Sequence, residues 1–121
     1  MKKSYEQAKR RKGAGLQYKH DLGQNFLYDE ALLTHLAAST GVTKDDCVLE
    51  IGAGAGTLTR VLSRLARQVV AIEVDEAVLP LLRVAVEGES NVTIVQGDVR
   101  RLDLHALTQG FGGPFFVIAN I

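Results

Sequence analysis

Apolar positions along the chain fall into two alternating periods. After Asp29, a residue suited to capping, Leu32, Leu33, Leu36 and Ala37 recur at helical spacing, and the pattern stops at Gly41. From Cys47 the short, nearly continuous run CVLEI predicts a strand. A glycine loop follows it. Leu58, Val61, Leu62 and Leu65 then line one face of a helix, with Arg60, Arg64 and Arg67 mostly elsewhere. QVVAIEV predicts a second strand. Asp75 caps a second helix with Val78, Leu79, Leu82 and Val86 inward, and Pro80 should distort its first turns. NVTIVQG predicts a third strand, Leu102–Leu107 a short turn or helix, and PFFVIAN a fourth strand.

Strands this apolar, alternating with helices, predict a parallel sheet covered on both faces. That is the doubly wound α/β class, with an expected strand order of 3-2-1-4. The sequence stops on the last residue of its fourth strand. Sheets of this kind usually continue, so the expectation is a truncated domain with an open edge on that strand. Residues 1–24 have little periodicity and read as a basic arm; residues 25–121 read as the N-terminal part of the α/β domain.

The chain has 121 residues, 46% of them apolar, enough for one small domain with a core. No apolar run approaches the ~18 residues of a membrane span. The charged start has no apolar stretch after it, so it is not a secretory signal. The single cysteine, Cys47, excludes an internal disulfide, reads as a small core residue and fits the reducing cytoplasm.

Net charge is zero but lopsided. Residues 1–24 hold seven basic and two acidic residues, and the rest of the chain carries a net of −5. A basic arm on an acidic body suggests a polyanion partner, RNA or DNA first; a merely solubilising tail is the alternative.

The glycine loop narrows the chemistry. Glycines after a strand admit a ligand close to the backbone. A dinucleotide loop has the spacing G-x-G-x-x-G. Here Gly52, Gly54 and Gly56 give G-x-G-x-G, with an acid, Glu50, two residues ahead of them. A carboxylate aimed into the loop would repel a pyrophosphate and suit a ligand with a cationic end. S-adenosylmethionine has a sulfonium, an ammonium and no phosphate. Glu50 as a plain structural carboxylate bonded to loop amides is the competing reading. Glu73 ends the second strand, 21 positions after Gly52, where a ribose is held in doubly wound folds. Asp98 follows the third strand and suits an adenine amino group, or simply an Asx-type turn after Gly97. Asp75 is assigned to the helix cap. A nicotinamide oxidoreductase is disfavoured by the glycine spacing and by Glu50.

With these residues in place the chain resembles the ribosomal RNA adenine dimethyltransferases, whose fold is a Rossmann-like S-adenosylmethionine-dependent methyltransferase. The likeness runs from about Lys19 to Ile121, on LGQNFL, LEIGAGAGTLT, IEVD, GDV and the terminal Ala119-Asn120-Ile121. The glycine loop is shared by many methyltransferases; GQNFL is more specific. The resemblance leans to the branch that dimethylates two adjacent adenines near the 3′ end of small-subunit (16S) rRNA. The branch that methylates one large-subunit adenine, conferring macrolide resistance, is the runner-up. A non-enzymatic ribosome-assembly or RNA-binding module is the reading from a different class.

The resemblance implies cofactor contacts from Asn25, Leu27, Gly52, Glu73, Asp98 and Asn120. Phe26 would anchor the Q-N-F-L segment and Gln24 order its backbone. Asn120 matches the asparagine that opens the family's N-(L/I)-P-Y motif, whose Pro and Tyr this sequence lacks. The family's small helical C-terminal domain is also missing. In the family's chemistry, that asparagine and a backbone carbonyl accept the hydrogens of the adenine N6, while an aromatic ring stacks on the flipped base. Placement supplies much of the rate and no strong base is needed. His20, His35 and His105 therefore need no catalytic role, and no metal-ligand spacing is present. Lacking the aromatic residue, the 121-residue chain is expected to show no appreciable catalysis alone. The family's basic N-terminal segment implies that Lys9, Arg10, Arg11 and Lys12 contact RNA phosphates.

Overall fold

A computed structural model of the chain describes residues 29–120. Strand β1 (Cys47–Ile51), β2 (Gln68–Glu73), β3 (Val92–Gln96) and β4 (Phe116–Ala119) form one sheet in the order β3-β2-β1-β4, every pairing parallel. This is the expected order. The alternation of side chains sorts the core into two layers. Val48, Val69 and Ala71 pack with helix α1 (Glu30–Ser39), α2 (Thr57–Leu65) and α3 (Leu79–Ala85), through Leu33, Ala37, Leu58, Val61, Leu62, Leu79 and Leu82. Cys47, Leu49, Val70 and Ile72 face the other way, onto Phe111, Leu102 and the short helix α4 (Leu104–Thr108). The central strands β1 and β2 are buried almost throughout; β3 and β4, at the edges, are half-covered.

Local signals explain most element ends. Asp29 accepts from the Leu32 amide at 3.0 Å and opens α1, which ends before Gly41 at φ 87°. Glu30 then pairs with Arg60 at 2.5 Å and Arg64 at 3.1 Å, tying α1 to α2. The helix predicted after Asp75 has the irregular opening expected of Pro80: a 3₁₀ turn (Glu76–Val78) capped by Asp75 runs directly into α3, with Pro80 at its second position. Proline lacks an N–H, and first-turn amides have no partner within a helix, so Pro80 is accommodated at the start of α3. Val78, left in the 3₁₀ turn, is only half-buried.

Candidate functional site

The carboxyl ends of all four strands open onto one cleft of about 660 Å³. Gly52, Gly54, Glu73, Asp98 and Asn120 all line it. That volume is in the range of small-molecule sites. Asn25, Leu27 and the basic residues Lys9, Arg10, Arg11 and Lys12 lie outside the described residues, as do Gln24, Phe26 and His20.

The glycines divide the work of the loop. The Gly52 and Ala53 amides both donate to the Ile72 carbonyl, at 2.9 and 3.1 Å, which pins the loop to the end of β2. Gly54, at φ 58°, has open space where a Cβ would be, so a ligand can approach the backbone there. Gly56 serves packing. At φ 90°, a Cβ on it would lie 2.8 Å from both Ala85 Cβ and Leu82 Cδ1, so glycine lets α2 start against α3.

Glu73 is only 8% exposed and is held on both oxygens. Oε1 accepts from the Gly54 amide at 2.6 Å and Oε2 from the Asp75 amide at 2.9 Å. The carboxylate is thereby fixed across the glycine loop, with lone pairs left for further donors. Asp75 itself caps the turn by accepting from the Ala77 amide, as assigned.

Glu50 is placed differently from both sequence readings. It neither lines the cleft nor bonds the loop amides. Strand alternation sends it to the same face as Val48, where it is fully buried and accepts from the Thr59 hydroxyl on α2 at 2.5 Å. Its Oε2 has no partner among the described residues. Burial pushes its carboxyl up to about 7, against the pull of the Thr59 hydrogen bond and with a smaller push from the Glu73 charge. Thr59 was missed in the sequence; its signal is a hydroxyl residue beside the inward-facing Leu58, Val61 and Leu62, a signal it shares with the buried Ser63.

Asp98 takes the Asx-turn geometry and lines the cleft as well. Oδ1 accepts from the Arg100 amide at 2.9 Å and from Nε at 3.1 Å, and Oδ2 accepts from Nη2 at 2.7 Å. The Arg100 guanidinium holds its carboxyl down near 2. The Asn120 amide donates to the Ile51 carbonyl at 2.9 Å, continuing the β1–β4 ladder, and its side-chain Oδ1 is buried with no partner among the described residues. Val74, Val78 and Leu81 add an apolar wall; Val78 was expected in the core, and the other two were not singled out in the sequence. Among the described residues no three His, Cys, Asp or Glu gather as a metal site, and no helix is long and apolar enough to cross a membrane.

A glycine loop after β1, an acid ending β2 and an open parallel sheet define a Rossmann-like fold, and its likeness to solved methyltransferases narrows the class. The 23S rRNA methyltransferase ErmE superimposes with a TM-score of 0.59 at 29% identity, over 75% of this chain and 35% of that one. A dimethyladenosine transferase from Plasmodium falciparum gives 0.58 at 28%, over 75% and 31%. The chain belongs to the ribosomal RNA adenine dimethylase family, whose family model matches residues 15–121. It is similar to ribosomal RNA small subunit methyltransferase A of Alkaliphilus metalliredigens, 41% identical over 106 residues, and of Geobacter sulfurreducens, 40% over 108. These matches cover 86% and 89% of this chain but 37% and 39% of those proteins, so the chain spans little more than a third of their length.

Proposed function

We propose that this chain forms the cofactor cleft of an S-adenosylmethionine-dependent methyltransferase acting on the N6 of two adjacent adenines near the 3′ end of small-subunit rRNA. The observation that carries the reading is the convergence of Gly52, Glu73, Asp98 and Asn120 on one cleft. The residues fit the group. Gly54 leaves a cradle that a Cβ would fill, Glu73 presents a fixed acceptor to ribose hydroxyls, and Asp98 presents one to an adenine amino group. The wall of Val74, Val78 and Leu81 suits a flat ring. The cofactor supplies an electrophilic methyl group. Asn120 is a binding and orienting residue, its Oδ1, unpartnered among the described residues, an acceptor for an N–H donor such as the adenine amino group.

The names of the curated relatives support the small subunit as target, and the likeness to ErmE keeps large-subunit rRNA as the second reading. Ribosomal RNA as partner implies work in the cytoplasm, with Lys9, Arg10, Arg11 and Lys12 on its phosphates. Methyl transfer belongs to a whole protein of the relatives' length, and purified 121-residue chain is expected to turn over no RNA.

Calorimetric titration of S-adenosylmethionine and S-adenosylhomocysteine into the chain tests the reading. Saturable binding to the wild type, weakened at least about tenfold in Glu73→Ala by loss of a charge-assisted acceptor, is the expected result. Binding of NADH instead would overturn it. In RNA binding, replacing the four basic arm residues by Ala should flatten the salt dependence; an unchanged slope rejects that contact.

A further inference from the structure

Arg100 is the one cationic side chain among the described residues lining the cleft. It stands in a body whose remaining charge is strongly negative. Its guanidinium occupies both oxygens of Asp98, the carboxylate proposed to receive the adenine amino group. Both donors compete for the same lone pairs, so the adenine and the guanidinium cannot both bind Asp98 in full. The Arg100 side chain is 84% exposed, and an exposed ion pair is held by little free energy, so the guanidinium is the partner that yields.

The turn itself need not move. The Arg100 amide bonds Asp98 Oδ1 at 2.9 Å and the Arg101 amide bonds the Asp98 carbonyl at 2.8 Å, so the carboxylate keeps its aim while the guanidinium leaves. A released guanidinium needs another anion. The cofactor's only carboxylate belongs to its amino-acid part, expected over the glycine loop, while Arg100 sits at the adenine end. The anion therefore comes from the other reactant, and a guanidinium matches a phosphate diester well.

Resting on the cofactor reading above, we propose that Arg100 is a latch between the two substrates: adenine binding at Asp98 frees its guanidinium to take a phosphate of the RNA strand beside the cleft. Cofactor and RNA then bind with positive coupling. The coupling is reciprocal, since each ligand changes the other's affinity by the same factor.

The test uses the full chain, S-adenosylhomocysteine, and a fluorescent 12-nucleotide single-stranded RNA carrying two adjacent adenines, followed by anisotropy. In the wild type, saturating S-adenosylhomocysteine should tighten RNA binding by at least about fivefold, the low end of typical couplings. In Arg100→Ala the tightening should vanish. Its affinity for S-adenosylhomocysteine alone should hold or rise, because a competitor for Asp98 is gone. The salt slope of RNA binding should fall by about one in Arg100→Ala, and only with cofactor product present. Arg100→Lys, which keeps a phosphate-binding charge, should retain part of the coupling. The proposal is overturned if Arg100→Ala keeps wild-type coupling and slope. It is equally overturned if Arg100→Ala loses S-adenosylhomocysteine affinity as Asp98→Asn does, since Arg100 would then merely hold Asp98 in place. It also fails if RNA binding ignores cofactor in the wild type. In all three cases the wild type still binds S-adenosylhomocysteine. No such binding at all would instead strike down the cofactor reading along with the latch.

Discussion

The two halves of the cleft hold their carboxylates by different means. Glu73, at the end of the central strand β2, is 8% exposed and accepts from two backbone amides, one reaching over from the glycine loop. Asp98, beyond the edge strand β3, is held within its own turn and by a guanidinium that is 84% exposed. A backbone amide cannot leave its acceptor without rebuilding a loop, whereas a surface side chain can turn away at small cost. The same chemical group is thus a fixed acceptor on one side and an adjustable one on the other. Burial and the kind of donor decide which.

The largest effects should come from breaking the fixed half. Gly56→Ala forces a Cβ to 2.8 Å from Leu82 and Ala85 at a φ of 90°. Backbone strain of ~1–3 kcal/mol and overpacking of ~1–3 kcal/mol act together, so urea unfolding should show a loss of at least ~2 kcal/mol. Gly54→Ala has the strained φ of 58° without the clash. Its stability should fall by only ~1 kcal/mol, while S-adenosylhomocysteine binding is blocked because the new methyl fills the cradle. Equal stability losses in the two variants would break the division of roles between these glycines.

Comparable in size to the Gly56→Ala loss is the pH response of Glu50. Its folded-state pKa is raised from the usual 4.5 to about 7. The folded chain therefore binds more protons than the unfolded one between those values, and stability falls as pH rises through that window. The shift corresponds to roughly 3 kcal/mol, all of it lost by about pH 8. Glu50→Gln keeps an acceptor for Thr59 and cannot ionise. Relative to the wild type it should be about neutral at pH 4 and more stable at pH 8, by urea midpoints at the two values. A variant-minus-wild-type difference that does not change with pH would show that Glu50 titrates normally.

What the sequence disclosed follows the same divide. Strand order, the two core layers and the capping of α1 by Asp29 all follow from periodicity and local chemistry, which act over short stretches. The positions of Gly52, Glu73 and Asp98 on one cleft were legible because parallel strands share a carboxyl end, while Asn120 was marked by the family resemblance. The fate of Glu50 was not. Its direction follows from strand parity, yet the decisive partner is Thr59, nine residues on in α2, and only the packing of that helix makes the pair. Arg100 was missed because an arginine two residues past an aspartate is unremarkable until the turn folds its guanidinium back. The distortion expected around Pro80 takes the form of one 3₁₀ turn before α3, which makes its missing N–H harmless.

The smallest predicted effects separate surface pairs from the braced loop. Glu30→Ala removes the partner of Arg60 and one of the two carboxylate partners of Arg64, which keeps Glu89 at 3.6 Å; the two side chains are 40% and 55% exposed. The expected loss is ~0.5–1 kcal/mol, with α1 loosened from α2 and the transition otherwise unchanged. Arg100→Ala should move the urea midpoint at pH 7 less than Glu30→Ala does. The sign of its acid dependence is set by Asp98, depressed from 3.8 to about 2: whatever the pair contributes is present above pH 4 and fades toward pH 2. Wild type and variant should therefore unfold alike at pH 7 and still more alike at pH 2. A clear midpoint loss in Arg100→Ala at pH 7, on the scale of Gly56→Ala, would make the Asp98 turn a braced element and remove the contrast between the two halves of the cleft.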